Sequence, residues 1–149
     1  MWLYNGQELA DSDIPEKSVG FIYLITQIST GRKYIGRKLL TMSGGKKKVG
    51  NKIRKTRKES DWRNYWSSSP QIKQWIEDSG TDDFTREILV FVSSKAELMY
   101  CEEYCLYVTN ALLKDDWLNG NIRSKIMRKW FLKNQKPFLT QLEKLILDK

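Results

Sequence analysis

Histidine is absent from this 149-residue chain, and cysteine occurs only twice, at positions 101 and 105. Without histidine the chain cannot build a Ser–His or Cys–His catalytic pair, nor a histidine-centred nuclease site. Two cysteines alone cannot complete a typical structural zinc site. A disulfide between positions four apart on a helix has poor geometry, so both thiols are expected to be reduced, in a cytoplasmic setting. No apolar run approaches the roughly 18 residues that would suggest a membrane span. The opening residues, Met1-Trp2-Leu3-Tyr4-Asn5, do not place a basic segment before an apolar one, so no secretory leader is expected. Acidic residues are missing altogether between positions 46 and 58. Any hydrolytic chemistry is therefore left to Tyr, Asp or Glu, Lys or Arg, and a borrowed metal ion.

What is present suits one compact domain with a short appendage. Six Trp, seven Tyr and five Phe within a 40% apolar composition can fill a core. The 26 Lys and Arg against 18 Asp and Glu leave a formal charge of +8. That surplus favours a polyanion, most commonly nucleic acid. A membrane surface is the weaker partner, because the basic residues do not alternate with an apolar helical face.

Two short strands organise the N-terminal half. Val19 to Gln27 is dense in aromatic and β-branched residues. A turn over Ile28-Ser29-Thr30-Gly31 leads into a second strand, Arg32 to Arg37. If residues 25 and 34 oppose each other, Tyr23 and Tyr34 leave one sheet face a diagonal step apart. Residues 1–18 are expected to add a short edge strand. Between Lys46 and Lys58 stand eight basic residues, Lys46, Lys47, Lys48, Lys52, Arg54, Lys55, Arg57 and Lys58. Three glycines interrupt this part of the chain, which reads as a long flexible loop or a loosely formed ribbon. It is either a solvated charged surface or a phosphate-binding element whose affinity falls with salt.

Further on, Trp62, Tyr65 and Trp66 either cover the core or stack on bases. Ser69 and Pro70 start a helix with Ile72, Trp75 and Ile76 on its buried stripe, and Gly80 ends it. Phe84 to Val92 reads as a third strand, with Phe84, Ile88, Val90 and Val92 on one face and Leu89 and Phe91 on the other. A capping box, Ser94-Lys95-Ala96-Glu97, opens a second helix. Its stripe takes in Leu98, Cys101, Cys105, Leu106, Leu112 and Leu113, with Glu102 inside it and Glu103 beside Met99 and Tyr107. A carboxylate on such a face is costly unless it pairs with a cation. A solvated Glu or a partner for a nearby Arg remains the plainer alternative. After a turn-rich segment over residues 115–122, a basic helix is expected over Arg123 to Lys133, carrying Ile126, Met127, Trp130 and Phe131. A last amphipathic helix is expected from Phe138 to Leu147.

Ile22-Tyr23 followed by Tyr34-Ile35-Gly36 resembles the two-part signature of the GIY-YIG nuclease family, with Phe21 inserted so that Gly20 lies three residues before Tyr23. Gly80-Thr81-Asp82-Asp83-Phe84-Thr85-Arg86-Glu87-Ile88-Leu89 is similar to a run in stand-alone and phage-type members, and Tyr65-Trp66-Ser67-Ser68 to their aromatic-Gly-Ser segment. The resemblance covers residues 19–122. It implies an α+β fold, a small three-stranded mixed or antiparallel sheet flanked by helices, as a nuclease domain over 1–122 with a helical extension over 123–149 packed on it. It implies metal-dependent cleavage of DNA in the cytoplasm of a bacterial or phage-infected cell. Tyr23 would act on the attacking water, Tyr34 would orient water or phosphate, and Gly36 would keep the strand end clear for substrate. Glu102 would hold one divalent ion, Mg²⁺ or Mn²⁺, and Asn119 matches a terminal Asn. For the phosphate-facing cation, Arg37 and Lys38 are the first choice, with Arg54, Arg57 and Arg63 left open. A restriction-type centre is disfavoured, since no Asp or Glu has Lys two residues later. The rival of another class is a nucleic-acid-binding module with this fold and no catalysis. Monomer and homodimer both remain open.

Overall fold

The computed structural model describes residues 1–50, 52–120 and 136–147. Among the described residues, seven strands and three α-helices run in the order β1 (Leu3–Tyr4), β2 (Gln7–Glu8), β3 (Gly20–Gln27), β4 (Lys33–Leu39), β5 (Thr41–Val49), β6 (Lys52–Glu59), α1 (Pro70–Ser79), β7 (Phe84–Val92), α2 (Lys95–Val108) and α3 (Lys136–Leu147). The fold is α+β, but the main sheet has five strands rather than three, in the order β2-β1-β7-β3-β4. The two extra strands come from the first eight residues. β1 lies parallel to β7 while the other neighbours are antiparallel, so the sheet is mixed. The expected basic helix over 123–133 lies outside the described residues.

Alternation along β3 divides the core into two layers. Ile22 and Leu24 join Ile35, α2 and the α3 residues Leu142 and Ile146 on one face. Phe21, Tyr23 and Ile25 join Trp2, Trp62 and the α1 residue Ile72 on the other. Trp62 is buried and Tyr65 and Trp66 pack against the same cluster, so these aromatics cover the core.

β7 departs from simple alternation. Ile22 pairs with Val90 but Tyr23 pairs with Ile88, so Leu89 is the extra residue of a bulge. Leu89, Val90 and Val92 consequently all face α2, while Phe84, Ile88 and Phe91 face the other layer. This corrects the expected grouping of Val90 and Val92 with Phe84. α2 also stops earlier than its apolar stripe suggests. Val108 is its last residue, Asn110 takes a left-handed turn at φ 52°, and Leu112 and Leu113 are exposed.

The basic stretch is neither loop nor part of the main sheet. β5 and β6 pair only with each other, from Thr41–Glu59 to Val49–Lys52. The ribbon is rooted where Leu40 is buried, its N–H donating to the Val19 carbonyl and its carbonyl accepting from Ser60 N.

Candidate active site

The β3–β4 hairpin fixes the two tyrosines. Tyr23 stands opposite Gly36 and Tyr34 opposite Ile25, so both rings leave one face with centroids 6.3 Å apart. Asp83 holds the connecting turn by accepting from Ser29 N, Ser29 Oγ and Gln27 Nε2. Tyr23 is 1% exposed. A β-carbon at position 36 would land on its phenol, so only glycine fits opposite this ring. Contact within the protein, rather than passage of a substrate, explains the glycine of Tyr-Ile-Gly.

Tyr65 meets Tyr23 edge-on, with centroids 6.1 Å apart. The hydroxyl of the buried Ser67, which accepts from Ser69 N, draws both motif phenols down against the push of burial. Burial pushes the Tyr23 phenol well above the usual tyrosine value. Tyr34 is raised by burial and further by the charge of Glu102, against the pull of Ser67. Both phenols are therefore protonated at neutral pH.

α2 supplies the acid. Its first turn is fixed by the capping box, in which Glu97 N donates to Ser94 Oγ and Ser94 N donates to Glu97 Oε2. Glu102 then meets the β4 edge, where its Oε2 forms an ion pair with Arg37 Nε at 3.2 Å. Burial raises its carboxyl and Arg37 draws it back down. Tyr23, Tyr34, Arg37, Glu102 and Asn119 all line one cleft of about 690 Å³, together with Glu103 and Ser68.

Two buried polar atoms on this cleft lack a hydrogen-bond partner, Arg37 Nη1 and Glu103 Oε1. Glu103, at 8% exposure, is the more buried of the two acids, because α2 is apolar on both sides of Glu102. Among the described residues no group of three or more His, Cys, Asp or Glu could enclose a metal. One or two carboxylates in an open cleft nevertheless fit Mg²⁺, which keeps several waters and takes its remaining ligands from substrate phosphate. The unpaired carboxylate oxygen has the chemistry to take a cation, and the unpaired guanidinium nitrogen that to take a phosphate oxygen.

Asn119 reaches the cleft in a different capacity. Its Oδ1 accepts from Ile35 N at 3.0 Å and its Nδ2 donates to Ile35 O at 2.7 Å. With Lys33 N donating to Asp116 O and Leu118 N to Lys33 O, the segment pairs along the open edge of β4. The amide of Asn119 is thus committed to backbone.

The other cations divide. Lys38 donates to Asp61 Oδ1 at 2.5 Å and sits 3.6 Å over the Tyr65 ring, outside the Glu102 cleft. Arg63 is taken by Asp11 and Glu59. Lys46, Lys47, Lys48, Lys52, Arg54, Lys55, Arg57 and Lys58 all belong to the ribbon. Among the candidate phosphate ligands whose side chains are described, only Arg37 joins the tyrosines and Glu102 in the cleft.

Ser67 and Arg86 were not foreseeable as partners from local pattern. Arg86 is 6% exposed, donates to the carbonyls of Met1, Arg63 and Tyr65, and lies between the rings of Trp2 and Trp66. It ties the segment carrying Ser67 to β7. The only sequence signal is an arginine on a strand position otherwise facing inward.

Among the described residues no helix is long and apolar enough to cross a membrane. No curated protein matches the chain, and no solved structure does. Residues 2–122 match the family model described as "Putative endonuclease segE, GIY-YIG domain". With the signature tyrosines on adjacent strands and a helical glutamate beside them, the chain belongs to the GIY-YIG endonuclease family.

Proposed function

We propose that this protein hydrolyses phosphodiester bonds of DNA with a divalent cation, Mg²⁺ or Mn²⁺, held at Glu102. The observation that carries the reading is the convergence of Glu102, Tyr34, Tyr23 and Arg37 on one cleft. Glu102, with Glu103 on the same cleft, would hold the cation. When bound, the cation supplies Lewis acidity at the phosphate and steadies the departing 3′ oxygen.

Tyr34 donates to the attacking water or a phosphate oxygen, since its raised phenol keeps its proton. Tyr23, buried more deeply, holds the attacking water in line or takes its proton as general base, and the departing 3′ oxygen regains a proton from solvent. The free Nη1 of Arg37 offers the phosphate a charged donor while Nε stays on Glu102. Asn119 is a positioning residue that keeps β4 straight. The ribbon residues from Lys46 to Lys58 grip DNA, and Lys38 supports Tyr65. Residues 1–122 form the nuclease unit and 123–149 an extension whose α3 packs beside α2.

The test is a supercoiled-plasmid assay in Mg²⁺ or EDTA. Wild type cuts only with Mg²⁺. Glu102→Ala and Tyr23→Phe each lose about 10²- to 10³-fold in rate, the usual scale for one electrostatic or proton-handling group, while still shifting DNA on a gel. A gel shift without cleavage under any divalent metal would leave a binding module and sink the enzyme reading.

A further inference from the structure

The ribbon carries its charge in an arrangement that a flat phosphate-binding patch does not need. Strand register assigns positions 46, 48, 55 and 57 to one face and positions 47, 52, 54 and 58 to the other. Four basic residues therefore stand on each face. Lys46 pairs with Lys55 and Lys47 with Arg54, like charges directly opposite, which repel. Among the described residues no ion pair engages Lys46, Lys47, Lys48, Lys52, Arg57 or Lys58. A two-stranded hairpin without an apolar face is marginal in water, and this one leaves Met42 and Val49 exposed. Only a polyanion presenting negative charge to both faces would neutralise it.

We propose that the β5–β6 ribbon enters the major groove of duplex DNA edge-on, each face against one phosphate wall, so that the strand on the 46/57 face is led to the Glu102 cleft. The dimensions agree. A sheet with its side chains is about 10 Å thick and nine residues span about 30 Å. The major groove is about 12 Å wide and about 8.5 Å deep. The two faces are not equivalent with respect to the cleft. A depression lined by Lys46, Arg57, Lys95 and Leu39 adjoins another lined by Arg37, Lys95 and Leu39, and Arg37 also lines the Glu102 cleft. A cationic trough thus runs from the 46/57 face to the site. Among the described residues no cation of the opposite face lines either depression, and that face serves the second strand.

This inference rests on the nuclease reading, and its test separates the two. Full-length protein is titrated in EDTA with a fluorescent duplex and with the matching single strand, across a range of salt. One variant carries Lys47→Gln, Lys52→Gln, Arg54→Gln and Lys58→Gln. The other carries Lys46→Gln, Lys48→Gln, Lys55→Gln and Arg57→Gln. Each is expected to weaken duplex binding by roughly 10²-fold at physiological salt and to lower the salt slope by roughly three. On the single strand only the 46/48/55/57 variant should matter. A triplex-forming strand that fills the major groove should compete, and a minor-groove ligand should not. Thermal midpoints of the variants at or slightly above the wild-type value, as expected when opposed like charges are removed, confirm that the core is intact. Duplex binding that ignores the 47/52/54/58 face, or that survives a filled major groove, overturns the proposal while leaving cleavage untouched. Absence of any DNA binding by wild type would overturn the nuclease reading with it.

Discussion

The tyrosine cleft and the basic ribbon leave the same β4 strand four residues apart and are built on opposite principles. In the cleft, position is set by packing. Tyr23 is wedged over Gly36, Ser67 serves both phenols, Asn119 splints the strand edge, and Arg86 bridges three carbonyls. In the ribbon almost nothing is packed, and its cations face one another across the strands. A site that must hold a water and a phosphate in line needs the first kind of construction, because small displacements cost rate. A grip that follows any DNA sequence needs only the second, because phosphate contacts position without reading bases.

The same substitution made in both regions breaks or upholds that contrast most directly. Gly36→Ala places a methyl on the Tyr23 phenol, whose ring is fixed by Trp2, Phe21 and Tyr65. Overpacking of this kind is expected to cost about 2–3 kcal/mol in urea denaturation, with cleavage falling as Tyr23 is displaced. Gly44→Ala meets the hydroxyl of Thr56, which donates to Gly45 O, and the backbone carbon of Arg57 at 3.3 Å, but in a ribbon that can shift outward. Its cost should be smaller, about 1 kcal/mol. Equal costs at the two glycines would mean that the ribbon is packed as tightly as the cleft.

A charge reversal should separate stability from binding. Lys46→Glu turns the repelling Lys46–Lys55 pair into an attractive one. A gain of about 0.2–1 kcal/mol in unfolding free energy is expected from the cross-strand pair. DNA affinity should fall at the same time, with a shallower salt dependence. The cleft offers no counterpart, since a change at Arg37 would strip Glu102 of its partner and harm stability and activity together. A Lys46→Glu protein that is both less stable and weaker in binding would count against the ribbon as a purely electrostatic device.

The legible part of the fold was written in local signals. The hairpin was legible from its turn and its β-rich flanks, and the register of Ile25 with Tyr34, taken as a condition, is the one observed. Pro70 and Gly80 bracket α1, and the Ser94–Glu97 box opens α2. What escaped depended on distant partners. The Leu89 bulge reverses the facing of Val90 and Val92, and an alternation read along one strand has no means of showing it. β1 is two residues long and finds its parallel place only against β7. Lys and Arg have little strand propensity, so the ribbon's charge was plain while its pairing stood beside a flexible loop as one of two readings. In the site, Tyr23, Tyr34 and Arg37 stood out through the family resemblance, and Glu102 through that and the cost of a carboxylate on an apolar face. Ser67 and Glu103 became visible only once α1, α2 and the hairpin were assembled. Lys38 shows the reverse case, a cation adjacent to Arg37 in sequence but turned to Asp61 and Tyr65.

The smallest expected effect lies at the turn ends of the two hairpins. Asp83 is held below the usual aspartate range by hydrogen bonds from Ser29 and Gln27, and it closes the β3–β4 turn. A carboxyl depressed in the folded protein adds stability above its unfolded value, near pH 4, and that increment disappears as pH falls through the folded value. Asp83→Asn should therefore lower the thermal midpoint slightly at pH 7, with the gap from wild type constant down to about pH 5 and closing below pH 4. The β5–β6 turn between Val49 and Lys52 contains no acid, and the stretch from Lys46 to Lys58 has none. Removing its charges should leave the acid limb of the stability curve unchanged. A gap for Asp83→Asn that widens on acidification would show that the turn is held by something other than this ionised carboxylate.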